Sequence, residues 1–141
     1  MSATAADVVG AARGHLGTPW QHQGRLPGVA LDCAGLIICV ARQLGLVAPD
    51  WDVNGYARMP DGTMLDWCDQ HMQRAPEIEL GAVLVLKIVS QPQHLGIVGD
   101  YRHGGWSLIH GAANEGRVIE TRLMFRRTLR LVRAYRLPGV H

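Results

Sequence analysis

The chain lacks a basic amino-terminal cluster followed by an apolar core, and it has no apolar run long enough to cross a bilayer. The opening Met1-Ser2-Ala3-Thr4-Ala5-Ala6-Asp7 therefore predicts no signal peptide, and no membrane insertion is expected. Cysteine is scarce: Cys33, Cys39 and Cys68 make an odd count of three without a CxxC pair, which excludes a disulfide framework and predicts a free thiol. Metal-ligand pairs of the CxxC, HxH or HExxH kind are missing too. Cys33, His94 and His110 as three zinc ligands would have no short-spaced pair among them, so no metal and no cofactor is expected. Aromatic residues do not interleave with the basic ones, and nucleic acid is not an expected partner.

What is present points to one globular domain over residues 1–141. The net charge of +2 is unevenly spread, with −4 over residues 1–100 and +6 over residues 101–141. The basic end is either a solvated strand face or a face for an anionic polymer or a partner protein. Helical periodicity marks residues 4–16, 31–45 and 62–73. The run from Ala82 to Val89 then reads as a strand covered on both faces. Further strands are expected at His94–Tyr101, Trp106–His110, Arg117–Thr121 and Arg130–Leu137, with a short helix or bulged connection over residues 122–128. Helices first and an antiparallel meander second predict an α+β fold, N-terminal helices packed on a five-stranded, mainly antiparallel sheet.

The stretch Leu31 to Gly45 carries the first chemical signal. Asp32 suits a helix N-cap and Gly45 a C-terminal stop, which sets Cys33 in the first turn. Free backbone N–H groups there favour thiolate, so Cys33 is either a nucleophile with a depressed pKa or a small core residue. Among seven histidines, His94 and His110 stand apart, because a hairpin about Arg102–Gly105 brings them to neighbouring strands. A helix start packed at that end of the sheet would add Cys33. Nucleophile, base and orienting group would then meet, as acyl transfer requires.

Four blocks follow one another in this order: Gly17-Thr18-Pro19-Trp20, Leu31-Asp32-Cys33-Ala34-Gly35-Leu36, His94-Leu95-Gly96-Ile97-Val98 and Ile109-His110-Gly111. Together they resemble the NlpC/P60 family of papain-like cysteine peptidases, over residues 8–137. The resemblance implies a papain-like fold, Cys33 as nucleophile, His94 as base and acid, and His110 as the residue holding the imidazole. It implies a thiol protease that hydrolyses amide bonds of peptidoglycan stem peptides, commonly γ-D-glutamyl to diamino acid, and so degrades cell wall. Trp20-Gln21-His22-Gln23-Gly24-Arg25 and Tyr135-Arg136-Leu137-Pro138-Gly139-Val140 look like the phage-tail branch. That implies a protein made in the cytoplasm, carried on a virion tail among tail proteins and acting on the wall.

Three positions depart from the family pattern. Trp20 stands where a Tyr is usual, Ala34 where a Ser is usual, and His22 where many members have Trp. Trp20, Asp32, His22 and Tyr56 are the expected substrate contacts, with loop packing the alternative for His22. Rival readings are a tail assembly module with little activity on the same fold, and a Cys-dependent acyltransferase.

Overall fold

A computed structural model describes residues 2–52, 63–88 and 91–141. The first helix, α1, runs Ala5–Arg13 under a capping box in which Thr4 and Asp7 exchange backbone-to-side-chain hydrogen bonds of 2.9 and 3.1 Å. It ends earlier than its apolar period suggests, because Gly14 and Gly17 follow and Gly17 turns to φ +86°. A two-residue hairpin, β1 (Arg25–Leu26) with β2 (Ala30–Leu31), interrupts what reads as plain loop. Next comes α2, Cys33–Gln43, capped by Asp32 through a 2.7 Å bond from the Gly35 N–H. At its other end Gly45 takes φ +69°, with Gly45 N–H donating to Arg42 and Leu46 N–H to Ala41, the Schellman arrangement. The third helix, α3, is Thr63–His71.

Among the described residues the main sheet has six strands, where five were expected. In chain order they are β3 (Gln73–Arg74), β4 (Val83–Ile88), β5 (Gln91–Asp100), β6 (Trp106–Ala112), β7 (Arg117–Arg122) and β8 (Leu129–Arg136). Their spatial order is β3-β8-β4-β5-β6-β7, with every neighbouring pair antiparallel. The extra strand is β3, whose two residues are too few to show a period of two. Residues 123–128 form neither helix nor strand, and a tight turn joins Arg126 to Leu129 by reciprocal backbone bonds.

Both faces of β4 are buried from Val83 to Leu86, as its apolar run implies, while Lys87 is exposed. Val83 and Val85 join Leu95, Ile97, Ile109 and Tyr135 under the helices. Leu84 and Leu86 join Val98, Leu108 and Ala134 in a second cluster on the opposite face. The helices bury Val8, Val9, Leu36, Ile37, Val40 and Cys68 against the first of these. At the far end of α2, Trp51 stacks on Trp67 and meets His71 edge-on, each with 5.4 Å between centroids.

Two helical glycines separate propensity from packing. Gly10 in α1 has open space where a Cβ would stand, so Gly10→Ala should stabilise by about 0.5–1 kcal/mol. A Cβ on Gly35 in α2 would run into the Gly24 carbonyl oxygen, so Gly35→Ala should destabilise by roughly 1–3 kcal/mol. Urea unfolding of the two variants checks the opposite signs.

Candidate active site

The ladder between β5 and β6 is registered from Asp100↔Trp106 to Ile97↔Ile109, although both strands run further. Continued in register, it would set Leu95 opposite Gly111. The start of α2 occupies that place instead. The Leu95 N–H points at the Cys33 sulfur, and a Cβ on Gly111 would stand 2.9 Å from the Asp32 carbonyl carbon and 3.1 Å from the Cys33 nitrogen. Cys33 thus sits where two strands part, beside the residues that follow His94 and His110. Glycine at 111 leaves room for the helix backbone to approach.

His94 and His110 meet directly. Nε2 of His94 lies 2.6 Å from Nδ1 of His110, with the rings near perpendicular at 86° and 4.8 Å between centroids. Strand alternation explains the meeting: His110 falls beside Gly96, and His94 is the diagonal neighbour on the same face. That face also carries Leu86, the register partner of His94, and Leu108. The thiol reaches the pair from the helix side of the split. Among the described residues the hydrogen bond of the His94 ring is to His110, and the Cys33 sulfur receives the backbone N–H of Leu95, the residue that follows His94.

The electrostatics of the site follow from burial. The thiol of Cys33 is pushed up to about 11, by burial first and then by the Asp32 carboxylate, while the N–H groups of Leu95, Ala34 and Cys33 pull it down. This corrects the depressed thiol expected at a helix start: the helix N–H groups act as expected, but desolvation outweighs them. Burial also lowers His94 to about 3, with the His110 charge adding to the effect, and lowers His110 to about 4. At neutral pH the resting site therefore holds a thiol and two uncharged imidazoles.

The other sequence-predicted contacts lie around the first turn of α2. Trp20 is half-buried and bridges Leu31, two residues before the thiol. His22 is half-buried in the segment ahead of β1, which presses the Gly24 carbonyl against Gly35. Asp32 is 3 % exposed, and its carboxylate accepts from the Gly35 N–H and the Gln23 N–H at 2.7 Å each and from Arg25 at 3.2 Å. That carboxylate caps the helix and pairs with an arginine, which leaves it turned away from solvent. Tyr56 lies outside the described residues. Arg25 and Gly111 stand inside the motif blocks but carry no expected role there, because neither spacing nor period links them to the cysteine. Among the described residues no cluster of side chains is suited to hold a metal ion.

With this geometry in view, known proteins are informative. No family model and no curated protein sequence matches the chain. Solved structures do match. The NlpC/p60 domain of the peptidoglycan hydrolase SagA superposes with TM-score 0.61 at 20% identity, covering 94% of this chain and 98% of that one. The chain has the NlpC/p60 papain-like fold. An N-acetylmuramoyl-L-alanine amidase from Bacteroides uniformis superposes with TM-score 0.63 at 11% identity, covering 95% of this chain and 98% of that one.

Two consequences are measurable. Iodoacetamide labelling of Cys33 should be slow at pH 6–7 and rise about tenfold per pH unit above it, while buried Cys39 and Cys68 stay protected. A rate already maximal at pH 6 would instead mean a preformed thiolate. Stability should also depend on pH. The folded pKa values of His94 and His110 lie below the unfolded value, near 6.5. The contribution is therefore complete above pH 6.5 and lost as pH falls towards 4, by roughly 1 kcal/mol per unit for each group. Urea midpoints should be flat from pH 8 to 7 and fall below 6.5, with a shallower fall in His94→Gln.

Proposed function

We propose that this chain is a thiol-dependent peptidoglycan hydrolase that cleaves an amide bond in the stem peptides. One observation carries the reading: a thiol among free N–H groups of a helix start, set in a strand split beside two histidines in contact. The likeness in fold to a peptidoglycan hydrolase and to a muramoyl-alanine amidase supports the substrate class.

The 2.6 Å contact constrains the tautomers. If His94 donates through Nε2–H to Nδ1 of His110, its own Nδ1 is left with a lone pair for the thiol proton. The opposite assignment leaves His94 without a free basic nitrogen. As substrate fills the split, Cys33 attacks the amide carbonyl while His94 takes the proton, forming an imidazolium that His110 supports. The N–H groups at the start of α2 face the developing oxyanion. His94 then protonates the leaving amine, and later draws a proton from the water that hydrolyses the thioester. Both imidazoles rest uncharged, so His94 keeps a lone pair for the proton at neutral pH. Because burial makes it a weak base towards a thiol raised to about 11, the proton moves as the sulfur bonds the carbonyl and not beforehand. The γ-D-glutamyl–diamino acid bond is the proposed target. Delivery on a phage tail is the proposed context, supported by the Trp20–Arg25 and Tyr135–Val140 resemblances.

The roles fix an order of damage, read as muropeptide release by mass spectrometry at matched folded concentration. Cys33→Ala should abolish release, and His94→Ala should lower it by about two to four orders of magnitude. His110→Ala should cost less, about ten- to a hundredfold, and His110→Asn should retain part of the function because its carbonyl still accepts the ring N–H. The double variant Cys33→Ala, His94→Ala should match Cys33→Ala alone. Full release by Cys33→Ala would leave a non-thiol activity or an assembly role as the better account.

A further inference from the structure

The residue before the nucleophile presents a physical conflict. Asp32 caps the helix that carries Cys33, and its buried carboxylate belongs to the residue next to the one whose sulfur must become a thiolate. A negative charge there opposes a second one. Arg25 supplies the opposite charge. Its Nη1 lies 3.2 Å from Asp32 Oδ1, its side chain is 14% exposed, and the same Nη1 donates to the Gly24 carbonyl at 2.9 Å. Its Nε pairs with Asp52 at 2.9 Å, and Asp52 is shared with Arg42 at 3.3 Å. Arg42 in turn donates to the Trp51 carbonyl at 2.7 Å. The charges alternate along this chain, and it runs from the N-cap of α2 to the last turn of the same helix.

We infer that Arg25 is a positioning residue that sets the reactivity of Cys33 by neutralising the Asp32 carboxylate beside it. Geometry gives it two tasks. It holds Asp32 in the capping pose, through which Gly35 N–H and the helix start are fixed, and it cancels the field that the cap imposes on the sulfur. Aspartate rather than asparagine at the cap is what makes the arginine necessary, since asparagine caps comparably without a charge. The inference concerns the thiol itself and does not depend on which bond the protein cleaves.

The groups around the thiol allow a clean test. They are Asp32 at its own cap, Leu95 N–H, His94 and His110 across the split, and Cys68 from α3. Both histidines are uncharged above about pH 4, and Cys68 is held as a thiol up to about 12. Among the described residues, the charge that bears directly on Cys33 between pH 7 and 9 is that of Asp32, with Arg25 paired to it. The experiment is a double-mutant cycle on Arg25→Met and Asp32→Asn, with Arg25→Lys alongside, read as the iodoacetamide rate at Cys33 by peptide mass spectrometry over pH 7–9. Arg25→Met should slow alkylation by about tenfold, equal to one pKa unit. Asp32→Asn should accelerate it, Arg25→Lys should retain most of the native rate, and the double variant should follow Asp32→Asn. An equal slowing by Arg25→Met in both backgrounds, or no change in any variant, overturns the inference. Removing one partner of a buried pair is destabilising, so folding of each variant is checked by circular dichroism. If Arg25→Met does not fold, Asp32→Asn and Arg25→Lys still decide: an unchanged rate in the first, or a rate in the second as slow as a neutral residue would give, overturns it equally.

Discussion

The structure depends on one close approach: the backbone at the start of α2 enters the gap where β5 and β6 part. Helix starts carry unpaired N–H groups, and a parted ladder carries more. Bringing the two together gives a small region rich in donors, in which Cys33 and His94 are half-buried and His110 is buried. Gly111 makes the approach possible from the sheet side, and Gly35 does the same for the loop that closes over the first turn. Each glycine sits where a Cβ would strike backbone, which no side-chain rearrangement relieves. The position of the thiol is therefore set by backbone packing, and the large apolar residues of α2 hold that packing in place.

The same enclosure explains why the site rests uncharged. Moving a thiolate and an imidazolium into this setting would cost desolvation on both. Burial raises the thiol and lowers both histidines, so the thiol–imidazole state is the stable one. On the proposed mechanism, charge would develop as a substrate carbonyl receives the sulfur. The donors that then matter are already in place. Asp32 is the exception, a permanent charge one residue from the sulfur, and the Arg25–Asp52–Arg42 chain answers it.

Much of this was legible in the sequence, for local reasons. Asp32 and Gly45 bracket α2 because capping is a property of a few adjacent residues, and the helix begins and ends where they place it. The apolar run Val83–Leu86 of β4 announced burial on both faces, since a one-sided strand alternates. His94 and His110 meet because a hairpin fixes its own register. What escaped depends on contacts distant in the chain or on segments too short to carry a pattern. Two-residue strands show no period. The parting of β5 and β6 belongs to how a helix packs on a sheet. The sign of the thiol shift belongs to burial, which the sequence around Cys33 does not report. Arg25 lies only seven residues before Asp32, yet nothing in a charge list says that the two share one buried bond.

The central claim is that Cys33 forms the covalent intermediate. Rapid acid quenching of the protein mixed with purified muropeptides, followed by peptide mass spectrometry, tests it most directly. A thioester adduct carrying the acyl half of the stem peptide, confined to the peptide containing Cys33 and released by hydroxylamine, is the expected result. Stem-peptide cleavage that proceeds at full rate with Cys33 alkylated, and with no adduct at that residue, would contradict it.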